Sequence, residues 1–278
     1  MHFFTAIYDR KYIPMLIAFL HSIHKTEKDY SGTVIYQNLI ANELQNIENA
    51  YPKIKFFKSK YSISNYTNST ERIPLKLKFW CEFFELQTTP NNQIICLCDC
   101  DTLILKPIEN ALKDKDFDLI FTWKEHKFPI NTGVIVVKNN TKIFEFFKLW
   151  LNNIEKIIPN KKELLRTASK FGAVDQFVLL DLMKSTTFES KFIRTYSFGD
   201  LTFSPQPCSI YNEVFSIDPL NCEAVIVHYK TTWHPLLLQQ NPKLIPGRHT
   251  PQQLIYWKEL YKEAKIFINM QKDKLNDK

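Results

Sequence analysis

The stretch that most constrains this chain is Gln93–Lys106, QIICLCDCDTLILK. Ile94, Ile95, Cys96, Leu97 and Cys98 are apolar at every position rather than at every second one. A strand of that kind is covered on both faces, as in α/β proteins whose helices lie on either side of a sheet. The run breaks off into Asp99 and Asp101, one residue apart. Carboxylates at i and i+2 of an extended chain point to one side, and like charges so close repel unless a proton or cation sits between them. Ligands of open α/β sheets bind outside strand ends. Two readings follow: a hard divalent ion bridging the carboxylates to a substrate phosphate, or a strand that simply ends in a polar turn.

The flanking segments fit a layered α/β domain. Phe3–Tyr8, Gly32–Gln37 and Ile54–Lys58 read as strands, with helices over about Ile13–His24 and Ala41–Tyr51 between them. A Ser/Asn/Thr-rich loop leads into a helix from about Glu71 to Leu86, where Leu75, Phe79, Trp80, Phe83 and Phe84 recur at helical spacing. Strand and helix in alternation predict a mostly parallel sheet flanked by helices. The first turn, Tyr8-Asp9-Arg10-Lys11, lacks glycine, and five glycines in 278 residues form neither a dinucleotide fingerprint nor a phosphate loop.

Further along, Asp118–Trp123 and Gly133–Lys138 read as short strands around a loop ending in Asn131-Thr132-Gly133. Thr141 is the expected cap of a helix whose Ile143, Phe146, Phe147, Trp150, Leu151 and Ile154 make one apolar stripe. A second helix is expected near Lys161–Lys170, and Val174-Asp175-Gln176 opens a third. Ser204–Pro207 reads as irregular, and Ala224–Val227 as a strand ending in His228-Tyr229-Lys230. Thr250-Pro251-Gln252-Gln253 starts a final helix running toward Met270. With no repeat and no linker, the chain reads as one domain, residues 1–235, carrying a C-terminal helical extension, 236–278.

At 45% hydrophobic and 23% charged residues the chain is an ordinary globular protein. Its net charge of +7 is spread among interspersed Lys and Glu, with no zinc finger, RNP-like motif or dense basic block, so a nucleic-acid partner is not expected. Cys96, Cys98 and Cys100 share a strand face but lack the paired C-x₂-C spacing of structural zinc sites. They read as small buried thiols of a reduced, cytoplasmic chain. The N-terminal segment lacks the pattern of a signal peptide, and the sequons at Asn65, Asn68 and Asn139 are then without meaning. No apolar run reaches the length of a membrane span. The final helix sets Ile255, Trp257, Leu260 and Tyr261 among lysines, which allows either packing on the domain or peripheral contact with the inner face of a membrane.

In order and approximate spacing, six motifs spanning residues 3–235 resemble glycosyltransferases of the GT-A fold, most closely the glycogenin-like and bacterial lipopolysaccharide galactosyl- and glucosyltransferase group (family 8-like). Thr5-Ala6-Ile7-Tyr8-Asp9 resembles the turn that holds the uracil base there. Lys76-Leu77-Lys78-Phe79-Trp80 resembles a helix whose lysine reaches the donor diphosphate, with Lys78 a rival to Lys76. Asp99-Cys100-Asp101-Thr102-Leu103 resembles the D-x-D-T-L metal motif, and Phe128–Val134, with Asn131, the F-N-[ST]-G-V loop. Val174-Asp175-Gln176 resembles the D-Q pair, and His228-Tyr229 with Trp233 the terminal histidine motif. That motif carries a glycine and then Lys-Pro-Trp in the family; here there is no glycine, and Lys230 follows His228 closely.

The resemblance implies a mixed, mostly parallel sheet and Mn²⁺ or Mg²⁺ held by Asp99, Asp101 and His228. It also implies a nucleotide-sugar donor, UDP-hexose above others, contacted by Thr5, Ala6, Tyr8, Asp9, Lys76, Asp99, Asn131 and Lys230. Asp175 and Gln176 would act at the sugar; otherwise they are the cap and first-turn residues of a helix. The implied reaction moves a hexose, with retention, to a glycan, glycolipid or protein acceptor. Two alternatives stand beside it. Asp99, Asp101 and Thr102 also resemble the nucleophile loop of haloacid-dehalogenase-type phosphatases, although that loop normally follows a first strand. A catalytically inactive nucleotide-sugar-binding protein is the other.

Overall fold

A computed structural model describes residues 1–62, 74–86, 89–113, 115–123, 130–160, 162, 166, 173–183, 195–214, 218–230, 233–238 and 250–276. All of the helix expected near Lys161–Lys170 except Lys162 and Arg166, most of the Ser/Asn/Thr-rich loop, Phe128-Pro129 and Thr231-Thr232 lie outside the described residues.

Strands β1 (His2–Ile7), β2 (Ser31–Tyr36), β3 (Ile54–Lys58) and β4 (Ile94–Cys98) alternate with helices α1 (Ile13–Thr26), α2 (Ala41–Ala50) and α3 (Leu75–Glu85). All pairings among these four strands are parallel, as helical crossovers demand. β1 lies at the switch, flanked by β2 on one side and β4 on the other. Beyond β4 the sheet continues through β7 (Ile130–Lys138), β6 (Leu119–Trp123), β9 (Leu201–Pro207) and β8 (Tyr196–Phe198). Here β7 runs antiparallel to both β4 and β6, so the eight-stranded sheet is mixed.

The uniformly apolar run at Ile94–Cys98 is explained by its place in the middle of this sheet. Leu97 and Ile95 face a core shared with α3 and α5 (Thr141–Ile157), while Cys96 and Cys98 face the core shared with α1. The aromatic stripe of α5 packs on α3 through Trp80–Phe147 and Trp80–Trp150 contacts at 5.4 and 5.7 Å.

Three expectations are corrected. Ser204–Pro207 is not irregular but part of β9. Among the described residues β8 pairs only with Leu201–Phe203, so Pro205 and Pro207 stand where one edge of β9 has no described partner strand and their missing N–H groups leave no described ladder bond unmade. The strand expected from Gly133 starts at Ile130, which puts Asn131 and Thr132 inside it. Asn140, not Thr141, caps α5: its backbone is extended and its side-chain oxygen accepts from the Ile143 amide at 2.9 Å.

A two-stranded ribbon, β5 (Thr102–Ile104) antiparallel to β10 (Ile226–His228), sits beside the sheet. Helix α4 (Ile108–Leu112) follows β5, α6 (Val174–Met183) follows α5, and α7 (Cys208–Tyr211) follows β9. Helix α8 (His234–Leu237) crosses the boundary expected at residue 235, and α9 (Pro251–Asn276) packs against α1 and α2, burying Trp257, Leu260, Ala264 and Ile268. Thr250 caps α9 as expected, its hydroxyl accepting from the Gln253 amide.

Candidate metal centre

A cleft of about 260 Å³ opens over the ends of β1 and β4, at the switch in strand order. Ala6 and Tyr8 from the end of β1, Lys76 and Trp80 from α3, and Asp99 and Asp101 after β4 line it. The backbone turns sharply between the aspartates because the Asp99 carbonyl accepts from both the Thr102 amide and the Thr102 hydroxyl, at 3.2 and 2.8 Å. That turn leads directly into β5, and β10 pairs with β5 in the register His228↔Thr102. The ribbon thereby sets His228 beside the two carboxylates, and the Tyr229 amide donates to the Asp101 carbonyl at 2.8 Å.

One ligand atom each from Asp99, Asp101 and His228 lies within 4.8 Å of the others. His228 Nε2 is 3.0 Å from Asp101 Oδ1 and 3.7 Å from Asp99 Oδ2. The remaining oxygens are held elsewhere. Lys76 Nζ pairs with Asp99 Oδ1 at 2.7 Å, and His234 Nε2 meets Asp101 Oδ2 at 2.7 Å. Each carboxylate is thus turned by one partner so that its other oxygen faces the imidazole. The buried His228 ring lies so close to Gly133 that a Cβ there would collide with it.

The electrostatics follow from this packing. Burial pushes the Asp101 carboxyl up, but His228 and then His234 outweigh it and hold the group well below the usual carboxylate range. Burial pulls Lys76 down, but Asp99, with Asp175 and Asp101, outweighs it and keeps the ammonium charged. Cys100, between the aspartates, is pushed up by burial and by both carboxylates, so it stays a thiol. Two carboxylates and an imidazole suit a hard or borderline divalent ion such as Mn²⁺ or Mg²⁺.

No family model matches the chain, and no curated protein matches it. Solved structures do. The galactosyltransferase LgtC, in complex with donor and acceptor sugar analogs, superposes with a TM-score of 0.55 at 13% identity, over 95% of this chain and 96% of LgtC. The glycosyltransferase GlyE of Streptococcus pneumoniae superposes with a TM-score of 0.52 at 14% identity, over 97% of this chain. The fold is GT-A. The chain spans 63% of the length of GlyE.

On this GT-A frame the expected site residues fall into groups. Ala6, Tyr8, Lys76 and Asp99 line the cleft beside Asp101. Lys78 turns away to Glu155 of α5 at 3.0 Å, which leaves Lys76 as the lysine of the cleft. Thr5 is buried within β1, its hydroxyl without a partner among the described residues. Asp9 caps the short turn Arg10–Tyr12, accepting from the Lys11 amide, and lies outside the lining.

Asn131 and Asp175 join the centre through β7. Lys76 Nζ donates to the Thr132 carbonyl at 2.7 Å, and the Thr132 hydroxyl donates to Asp175 Oδ2 at 2.5 Å. Trp150 Nε1 donates to the Asp175 carbonyl at 3.1 Å, fixing the start of α6, where Gln176 follows. Asn131 Oδ1 accepts from the Gly133 amide, which leaves its buried Nδ2 with no acceptor among the described residues. Lys230 is not among the lining residues; its amide donates to the His228 carbonyl.

His234 and Thr132 escape the sequence reading as functional residues. For His234 a signal existed: it directly precedes Pro235, where the resembled motif has lysine before proline. Thr132 holds the [ST] place of the resembled F-N-[ST]-G-V loop, but its pairing with Asp175, 43 residues away, had no signal.

Proposed function

We propose that the protein is a metal-dependent glycosyltransferase that moves a hexose from a nucleotide-diphosphate sugar, UDP-hexose above others, to a glycan, glycolipid or protein acceptor. The observation that carries this reading is the convergence of Asp99 Oδ2, Asp101 Oδ1 and His228 Nε2 at a cleft over the strand ends of a GT-A sheet. A Mn²⁺ or Mg²⁺ ion held there would act as a Lewis acid on the donor diphosphate, worth several kcal/mol of charge stabilisation.

The chain's own residues take the other roles. Lys76, kept charged by Asp99, supplies a cation on the phosphate side of the cleft. Ala6 and Tyr8 offer an apolar and an aromatic wall suited to a planar base; Thr5 and Asp9 are carried as donor contacts by the resemblance alone. Asn131, its Nδ2 donor without an acceptor among the described residues, suits a sugar hydroxyl. Asp175 and Gln176 belong at the sugar, and the Thr132 hydroxyl on Asp175 Oδ2 fits a carboxylate that positions rather than one that removes a proton. That favours retention, in which the leaving phosphate takes the acceptor's proton. Lys230 is carried as a phosphate contact by the resemblance alone.

The sugar analogs bound to LgtC support nucleotide-sugar and glycan partners. No described helix is long and apolar enough to cross a membrane. A cytoplasmic location with peripheral membrane contact belongs to the proposal; exposed Ile255, Ile266 and Met270 on α9 support the contact.

A panel of UDP- and GDP-sugars, scored for hydrolysis with and without Mn²⁺, tests the reading. We expect Mn²⁺-dependent release of sugar from at least one UDP-hexose, reduced about 100-fold or more in Asp101→Asn. Full activity in EDTA, or turnover of p-nitrophenyl phosphate with none on nucleotide sugars, would overturn it.

A further inference from the structure

His228 can serve a cation only through a ring nitrogen that carries a lone pair, and which nitrogen does so is set by what the other one meets. Its Nδ1 lies 2.9 Å from Asn212 Oδ1. Oxygen and nitrogen of an amide are assigned from their surroundings, so the assignment has to rest on a group whose role is fixed. The Asn131 backbone carbonyl is such a group, because it can only accept.

The Thr122 hydroxyl lies 2.7 Å from that carbonyl and must donate to it. Thr122 Oγ1 then has only lone pairs for its second neighbour, the Asn212 amide atom 2.9 Å away, which is also 3.5 Å from the same carbonyl. That atom must be the nitrogen. The opposite end of Asn212 is therefore its oxygen, and the proton between Asn212 and His228 belongs to Nδ1. Nε2 is left to face Asp101 Oδ1 and Asp99 Oδ2.

Backbone geometry holds the relay in place. Asn212 terminates α7 and is fully buried, as is Thr122. The β6–β7 ladder shifts register between Phe121 and Thr122, which brings Thr122 opposite Asn131. The His228 amide donates to the Glu213 carbonyl at 2.8 Å, so the segment after α7 is tied to β10.

We infer that Asn212 is a positioning residue: it fixes His228 as the Nδ1–H form and so presents Nε2 to a divalent cation shared with Asp99 and Asp101. The inference rests on the metal reading above and adds the Asn131–Thr122–Asn212 chain as the device that orients the third ligand. Loss of such an outer partner typically lowers metal affinity about 10–100-fold.

The test is a titration with MnCl₂, free Mn²⁺ being counted by electron paramagnetic resonance, on the whole chain and on variants at two positions. Asn212→Leu removes the acceptor at similar volume and is expected to weaken Mn²⁺ binding about 10–100-fold. Asn212→Asp keeps an oxygen opposite Nδ1 and is expected to retain most of the affinity. In a His228→Ala background, Asn212→Leu is expected to cost nothing further, because the ring it orients is gone. Should Asn212→Leu not fold, Asn212→Asp compared with Asn212→Ala, each with and without His228, reads the same coupling.

An Asn212→Leu affinity within twofold of the parent chain, or an equal loss with and without His228, would overturn the assignment while leaving the metal site standing. A parent chain that binds no Mn²⁺ would overturn both.

Discussion

At the scale of single residues, the centre depends on small allowances of space as much as on its charged groups. Gly133 shows this. A Cβ there would strike the His228 ring and approach Asp99 Oδ2 to 3.2 Å. Gly133→Ala is expected to cost about 1–3 kcal/mol as an overpacking change and to weaken Mn²⁺ binding, because the ring must move. Gly199 is the matched control: its φ of +57° strains any side chain, yet among the described residues nothing lies within 4 Å of its Cβ position. Gly199→Ala should lower the melting temperature without altering Mn²⁺ binding. Equal Mn²⁺ affinity in Gly133→Ala and the parent chain would count against His228 as a ligand. Asp99 and Asp101 were legible in the sequence because two carboxylates two apart share one side of an extended chain. His228 becomes their neighbour only through the β5–β10 ribbon, and a three-residue strand has too little pattern to announce its pairing.

At the scale of elements, legibility tracked length and period. α5 shows its core face in its own stripe, and β4 shows burial on both faces in an unbroken apolar run. The short strands β5 and β10 each depend on a partner remote in sequence, and β8, paired to its own neighbour β9, has only three residues in which to show a period. The start of β7 hides because Asn131 and Thr132 are polar for reasons of the site, not of the sheet. Caps are decided by one dihedral pair: Asn140 is extended, and its side chain reaches the Ile143 amide. Asn140→Ala should therefore cost about 1 kcal/mol in urea denaturation, whereas Thr141→Ala, on an exposed first-turn residue, should stay within about 0.5 kcal/mol. The reverse order would restore Thr141 as the cap.

At the scale of the whole molecule, the chain sets the candidate metal centre at the sheet's switch point and packs α9 against α1 and α2. That packing has a pH dependence. His21 of α1 is buried beside Tyr51 and lies 3.8 Å from Glu263 of α9. Burial, then the neighbouring His24 and Lys25, lower its pKa to about 4 from the ordinary 6.5. Below pH 6.5 the unfolded chain takes up a proton that the folded ring refuses, so stability falls as the pH drops from about 6.5 toward 4. At pH 5 the loss from His21 is on the order of 2 kcal/mol, and His21→Gln should lose correspondingly less stability between pH 7.5 and 5. Identical slopes in the two proteins would remove His21 from this role. The proposed function turns on one divalent ion that Asp99, Asp101 and His228 would hold, facing the cleft that would receive a nucleotide sugar. Anomalous scattering from crystals grown with Mn²⁺ and UDP tests it most directly. The predicted result is a single manganese peak bounded by Asp99 Oδ2, Asp101 Oδ1 and His228 Nε2, in contact with the diphosphate; a peak elsewhere, or ordered UDP with no manganese at these three atoms, would contradict it.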